Sequence, residues 1–499
     1  MRASWLILAV VLGIILSVDA GDCSKHVETF TCGDIQVEDC LECDGKLQAD
    51  QESGHCIHRE LFLQFLGVDI VAAIIWFTFS GVASASGVGG GGLFMPLGII
   101  LLGFTAKSSS GLSQASIFGA ASGGTLLSLY NTHPEDIWAN WRGRKILEHP
   151  TVYTRPLIDY SMLLFLAPME VVGASIGALV QQTLPNWLYL SAAAIVLCMI
   201  AILTFFTYRT LREGELKELE CTTSMEVELV FDGDGGDDNG EEEHRQVSIK
   251  ELGEGDAELI AEQISLLESD SVQFPTQKIR QLLILWLGCS ILVFLRGGNG
   301  FPSVIGLTCD KPAYVTLMAL QFIWLFCFAL YAGLELVRER HSRETAGCVF
   351  RSGDVSWSGR TLLCYSSVTL LAGVVAGLIG IGGGVCLGPV LLNWGLNPRV
   401  STATTVTMIT ITSSTVSLIY VINGLVPLGY ALFYFAVSLL GSLIGKSQLD
   451  SFVKRHKRTS LLVLILAGII SLATIGVATN LVLGLSRQNY CLDEFKTLC

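Results

Sequence analysis

Long apolar runs of about 20 residues, parted by polar stretches, set the pattern of this chain; that length crosses the roughly 30 Å of a bilayer's hydrocarbon. Twelve runs are predicted to span: 65–86, 88–106, 110–130, 160–182, 186–208, 280–297, 314–336, 361–379, 381–397, 403–422, 425–446 and 460–484. A shorter apolar core, Trp5 to Val18, comes first, behind Met1-Arg2 and ahead of Val18-Asp19-Ala20. That order predicts a signal peptide over 1–20, with an uncleaved signal anchor as the other reading. The expected fold is an all-α polytopic membrane protein of about 12 transmembrane helices after a signal peptide.

Two of the runs are interrupted by glycine. Gly87-Val-Gly-Gly-Gly91 with Pro96 matches Gly380-Ile-Gly-Gly-Gly384 with Pro389, position for position. Each glycine weakens a helix by about 1 kcal/mol relative to alanine, so these runs predict broken helices. Other elements repeat with them. Lys107 and "SSSGLSQAS" follow the first copy as Arg399 and "VSTATTVT" follow the second, and Gly173/Gly177 matches Gly441/Gly445. Spans 1–5 and 8–12 then read as two copies. Seven spans separate each helix from its copy, an odd number, so the copies cross in opposite directions. Such an inverted-topology repeat is an architecture of secondary transporters, with the site at the repeat interface.

Composition and charge fit this reading. Only 15% of residues are charged and 51% are hydrophobic, against about a quarter charged in soluble domains. The net charge of −14 is concentrated: Glu213 to Asp270 holds 20 acidic and 3 basic residues, leaving 25 acidic against 28 basic elsewhere. The predicted units are therefore an exoplasmic cysteine-rich segment (21–62), a first transmembrane repeat (63–208), an acidic cytosolic loop (209–278), connecting helices with a cytosolic loop (279–360), a second repeat (361–484) and an exoplasmic tail (485–499). With the N-terminus outside, the predicted cytosolic loops carry Arg142, Arg144, Lys145 and Arg155, then Arg338, Arg340, Arg343, Arg351 and Arg360, then Lys454, Arg455, Lys457 and Arg458, as the positive-inside rule requires. The loop's "DGDGGDDNGEEE" is read as a solvated, disordered linker. It fails the calcium-binding register, because glycine falls at position 5 and Asp237 at position 6. Residues 258–267 are predicted to form a short amphipathic helix.

Eight of the 15 cysteines fall on the exoplasmic side in this topology: Cys23, Cys32, Cys40, Cys43, Cys56, Cys309, Cys491 and Cys499. An even set in an oxidising compartment predicts disulfides of undetermined connectivity. Zinc held by Cys40, Cys43, His55, Cys56 and His58 is the alternative; no metal or cofactor is expected. A plasma-membrane location is expected first and an endomembrane second.

The glycine runs carry the candidate site. Unwound backbone and a restarting helix present N–H groups and a positive dipole end to an anion. Gly89, Gly90, Gly91, Gly382, Gly383 and Gly384 are read as that nest, with hydroxyls from Ser109, Ser113, Thr404 and Thr405 and charge from Lys107 and Arg399. Both cations sit at span ends, so an interfacial anchor remains open for each. Gly373/Gly377, Gly173/Gly177 and Gly441/Gly445 fit close helix packing instead. Glu170, mid-span beside Pro168, is expensive in a membrane; proton coupling and a structural hydrogen-bonded carboxyl both remain open. Asp69 and Glu335 lie nearer span ends and are read as interfacial.

These motifs resemble the sulfite exporter TauE/SafE (TSUP) family. The resemblance rests on the duplicated GxGGGxxxxP and on "LLNWGLNPRVSTATT" after the second copy. It covers about 65–208 and 280–484, and the accessory segments are similar to those of large, plant-like eukaryotic members. The first copy departs from the family pattern at Lys107-Ser-Ser-Ser. The resemblance implies transport of sulfur-containing anions such as sulfite or an organosulfonate, with proton coupling. The residues by themselves reach a secondary transporter with a small-anion site, partnered by substrate and lipid and open to homo-oligomerisation. The competing reading is a membrane receptor or scaffold on a transporter-like core, using the acidic loop to engage a cytosolic partner. No nucleic-acid partner is expected. An enzyme is not expected: no phosphate loop or nucleophile–base constellation is found, and no ring of charge suggests a channel.

Overall fold

The structure is a computed structural model. It describes residue 61, residues 67–85, 87, 89–133, 152–231, 254–298, 300–307, 312–346 and 355–456, together with short pieces within 47–58, 137–145 and 464–482. The expected signal peptide, the segment "DGDGGDDNG" and Cys23, Cys32, Cys40, Cys43, Cys309, Cys491 and Cys499 lie outside the described residues. Cys56 is described only as a strand position.

The helices follow in order as α1 (Gly67–Ala85), α2 (Gly91–Ile100), α3 (Ala106–Leu129), α4 (Tyr160–Thr183), α5 (Asn186–Phe231), α6 (Glu254–Asp270), α7 (Thr276–Arg296), α8 (Pro312–Thr345), α9 (Gly359–Ile379), α10 (Gly384–Asn393), α11 (Pro398–Ile422) and α12 (Leu428–His456). Extended pieces among the described residues are short antiparallel pairs: β1 (Leu47–Ala49) with β2 (Cys56–His58), β3 (Ile137–Trp138) with β6 (Val152–Tyr153), and β4 (Asn140–Trp141) with β5 (Arg144–Lys145). Among the described residues, seven helices are long and apolar enough to cross a membrane, from the stretches in α4, α5, α7, α8, α9, α11 and α12.

The structure differs from the expected elements in several places. The runs predicted as 88–106 and 381–397 are the ten-residue helices α2 and α10. Ten residues rise only about 15 Å, half of the hydrocarbon. Helix α5 runs on to Phe231, well into the segment expected to be loop from 209, and the helix expected at 258–267 extends over all of α6.

Local chemistry sets the helix starts. Thr105 accepts from Ser108 N at 3.2 Å, Asp159 from Met162 N at 3.0 Å and Asn397 from Arg399 N at 3.1 Å. Each satisfies a donor that the first turn leaves without a carbonyl. Packing then sorts the helices. The apolar window of α4 is 89% buried and that of α11 is 83%, whereas that of α8 is 22%. So α4 and α11 are central and α8 is peripheral, its apolar surface left for lipid. Helix α3, 24 residues long, is also central: Ser109, Ser110, Ser113, Gln114 and Ser116 are all buried in it.

Glycine lets the central helices touch. The α-carbons of Gly173 and Gly177 lie against the backbone of α9 at Leu370 and Val374, while Gly373 and Gly377 lie against Glu170 and Ala174 of α4. On the other side Gly441 and Gly445 of α12 meet Phe77 and Gly81 of α1. These are the close-packing seams expected of small-residue pairs.

At one end of the bundle, charges from separate segments meet. Asp270, the last residue of α6, takes Arg155 at 3.1 Å and Arg343 at 2.8 Å, and Lys278 pairs with Glu339 at 3.1 Å. They border a cavity of about 1120 Å³ that also reaches Trp357 and Asn397. All these side chains are partly exposed, and exposed pairs contribute about 0.2–1 kcal/mol each. Asp270→Asn is therefore expected to shift Tm by no more than about 4 °C while accelerating proteolysis between residues 232 and 253. Equal cleavage rates in wild type and variant would show that these pairs do not hold α6 in place.

Candidate functional site

Both glycine runs are helix breaks, and the two breaks cross. Gly87 and Gly380 have φ of 79° and 77°, and Gly89 and Gly382 have 77° and 76°, left-handed values that glycine adopts without steric cost. A Cβ on Gly91 would fall on the Ile381 carbonyl, and one on Gly384 would lie 2.9 Å from the Gly87 oxygen. The starts of α2 and α10 thus converge on one point deep in the bundle. The first N–H groups of a helix have no carbonyl before them, and its positive dipole end is there.

Helices α3 and α11 wall this crossing. Gly87 rests on Thr402 of α11, and Gly380 rests on Ser110 of α3. Gly89 touches Ile117 and Ile409, Gly382 touches Ile117, and Gly384 touches Ile409 and Thr405. Ser113 Oγ donates to Gly380 O at 2.7 Å and also approaches Gly91 O at 3.3 Å, so one hydroxyl ties both breaks together. Ser109 Oγ donates to Met95 O at 2.6 Å. Gln114 Nε2 donates to Ala376 O at 3.2 Å, and Tyr189 OH to Ile379 O at 3.1 Å. Ser113 and Tyr189 thereby satisfy carbonyls that the break after α9 releases, a requirement in lipid, whereas Met95 lies inside α2 and the Ala376 carbonyl also accepts from Gly380 N at 2.9 Å.

Glu170 lies at the head of α10. It is fully buried, and a Cβ on Gly383 would fall on its Oε1. Neither carboxyl oxygen has a well-formed hydrogen bond among the described residues; the Thr412 hydroxyl faces it, and Cys386 of the first turn of α10 is close by. The positive end of the α10 dipole points at this carboxyl. The glycine at 383 is what admits it.

The other expected site residues divide. Gly89, Gly90, Gly91, Gly382, Gly383 and Gly384 are all buried at the crossing. Thr405, buried, has no hydrogen-bond partner among the described residues, while Thr404 Oγ1 accepts from Asp159 N at 3.1 Å. The two cations are elsewhere. Lys107 Nζ donates to the Gln182 carbonyl at 3.1 Å, and Arg399 is exposed at the start of α11. Asp69 stands in the first turn of α1 but is buried, and Glu335 borders the cavity at the charged end.

Among the described residues, two buried cations are not singled out by the sequence: Arg296, the last residue of α7 and 2% exposed, and Lys446. Lys446 of α12 is 4% exposed and donates to Gly124 O at 3.1 Å and Ser128 Oγ at 2.9 Å. It stood at the last position of a predicted span, where a lysine reads as an anchor. The signal available was its spacing from Ser438 and Ser442, which puts all three on one helical face.

Apolar helices around a buried polar crossing of two half-helices define a multi-pass integral membrane protein. Residues 276–472 match the family described as "Sulfite exporter TauE/SafE". That stretch contains the second glycine run and Lys446, and excludes Glu170 and the first run. "Sulfite exporter TauE/SafE family protein 1" of Arabidopsis thaliana is 26% identical over 416 residues, covering 82% of this chain and 83% of that protein. Family protein 3 from the same plant is 26% identical over 434 residues, covering 86% of this chain and 82% of its own length. The resemblance of this chain to the TauE/SafE family, in its plant form, therefore extends well beyond the two glycine runs. No solved structure matches the chain.

Proposed function

We propose that this chain is a secondary transporter of small anions (sulfite, an organosulfonate or a related sulfur oxyanion), coupled to protons at Glu170. The observation that carries this reading is the Glu170 carboxyl seated on Gly383 at the head of α10. A half-helix N-terminus inside a membrane protein is a place for an anion, and a carboxylate and a substrate anion compete for it. Taking up a proton at Glu170 removes the competing charge, so proton and anion bind together. The sign follows: anion affinity rises as pH falls. The names of the curated relatives direct the choice to sulfite.

The contacts support an inverted repeat. Under the pairing of Lys107 with Arg399, Ser110 corresponds to Thr402 and Ile117 to Ile409; Gly380 rests on the first of these and Gly87 on the second. The α4–α9 seam has its counterpart in the α12–α1 seam. On this reading twelve passages follow a signal peptide, two of them made by the half-helices α2 and α10. The charged end faces the cytosol, and the plasma membrane is the preferred site.

The test is uptake of radiolabelled sulfite and sulfate into proteoliposomes, with and without an imposed pH gradient. Sulfite accumulation driven by the gradient is expected. Purified, well-folded protein that moves neither anion under either condition would end the proposal.

A further inference from the structure

Many buried hydroxyls on these helices donate to the carbonyl four residues back, the ordinary fate of serine and threonine in an apolar helix. Ser80, Ser116, Ser128, Thr369, Thr407 and Ser413 all do so. Three serines along one seam do not. Ser84 of α1 and Ser438 and Ser442 of α12 are fully buried, and none of their hydroxyls has a hydrogen-bond partner among the described residues. Leaving a buried hydroxyl unsatisfied costs about 1–3 kcal/mol, so three on one seam are a substantial destabilisation unless something completes them.

The seam also holds Lys446. Ser438, Ser442 and Lys446 follow at intervals of four and share one face of α12. Opposite them α3 has glycine: a Cβ on Gly123 would lie 2.9 Å from Ser442 Oγ, and one on Gly124 would meet Ser84 Oγ and lie 3.6 Å from Lys446 Nζ. The Ser84 hydroxyl and the Lys446 ammonium therefore flank the same α-carbon. Ser84 itself precedes the first glycine break by three residues. Ser128, which accepts from Lys446, is one residue from the end of α3 nearest the charged end of the bundle. From Ser438 to Lys446 the face spans about 12 Å.

We infer that Ser84, Ser438, Ser442 and Lys446 form an anion-binding track between the glycine crossing and the charged end of the protein. Hydroxyls with unspent donors beside an ammonium suit a ligand that only accepts hydrogen bonds, and a small oxyanion is such a ligand. Repeat correspondence sharpens the assignment. The equivalent face of α4 carries Glu170, Ala174 and Ala178, so one half presents the proton-binding carboxyl and the other the anion-binding cation. This inference rests on the transporter reading above, and it adds where the anion runs.

The test is concentration-dependent sulfite uptake into proteoliposomes by the full chain as wild type, Ser84→Ala, Ser442→Ala, Lys446→Met and Lys446→Arg, with melting temperatures measured in parallel. The serine variants delete only an unsatisfied hydroxyl, so their melting temperatures are expected to stay level or rise while KM increases about tenfold, near the weight of one charge-assisted hydrogen bond. Lys446→Met is expected to lose uptake and Lys446→Arg to restore most of it. Wild-type transport with KM within twofold in both serine variants would overturn the track and leave the transporter reading intact. A wild type that moves no sulfite would overturn the transporter reading, and the track with it. If Lys446→Met does not fold, the serine variants decide alone.

Discussion

Gly91→Ala is expected to prevent the protein from folding, whereas Gly92→Ala, one residue along, is expected to be tolerated. The site of a Cβ on Gly91 is already occupied by the Ile381 carbonyl, and the Ile381 carbonyl carbon and α-carbon are also within contact. These are backbone atoms, so no side-chain rotation relieves the overlap; one break would have to move off the other. Overpacking in a core costs about 1–3 kcal/mol when side chains can adjust, and a rigid backbone puts this case above that range. The neighbouring site on Gly92 meets nothing nearer than Leu197 Cδ2 at 3.7 Å, an ordinary contact. Size-exclusion chromatography of detergent-extracted protein measures the outcome. A single symmetric peak for Gly91→Ala with an unchanged melting temperature would mean that the two breaks do not cross as closely as described.

The second large effect concerns coupling. Glu170→Gln keeps the size of the side chain and removes its titration. The variant is expected to fold, to exchange labelled for unlabelled sulfite across the membrane, and to lose at least tenfold of its gradient-driven accumulation. Glutamine stands permanently in the neutral state, so the head of α10 is never contested by a carboxylate. Wild-type anion affinity should strengthen as pH falls, because bound anion favours the protonated carboxyl; the variant's should be flat with pH. Counterflow and accumulation assays on one preparation separate the two effects. Accumulation above half of wild type in the variant would remove Glu170 from coupling and return it to a structural role.

What was legible in the sequence depended on how local the signal was. Glycines at 89–91 and 382–384 are contiguous, so the loss of helix there needed no tertiary information, and Glu170 stood out as a charge in an apolar run. The cations did not fare as well. Lys107 and Arg399 neighbour the glycine runs in sequence, yet each lies ten residues before the isoleucine, Ile117 or Ile409, that touches the crossing, about 15 Å along its helix. Lys446 was hidden for the opposite reason: α12 continues ten residues past it to His456, so a position that looked terminal is interior. The roles of Ser109 and Ser113 were also beyond sequence reading. Ser113 goes to the Gly380 carbonyl, which the other half's break leaves open, and Ser109 goes to Met95 within α2, so both partners are set by tertiary packing.

The polarity of α3 bears on how the protein is made. Helix α3 is 24 residues long, yet it is not among the helices apolar enough to cross a membrane by composition. It packs against α11 and α12, which lie about 300 residues later in the chain. Until those helices have been synthesised, its serines, its glutamine and its glycine-lined grooves have only lipid, water or the first helices as neighbours. A polar segment left in hydrocarbon without partners is unfavourable, and contacts this distant in sequence form late. The first half of the protein is thus a dependent product of the ribosome: it waits in the membrane, half-assembled and open to quality control, for the second half to seat its central helix. Chains truncated before Pro398 should be degraded rather than persist as a stable half.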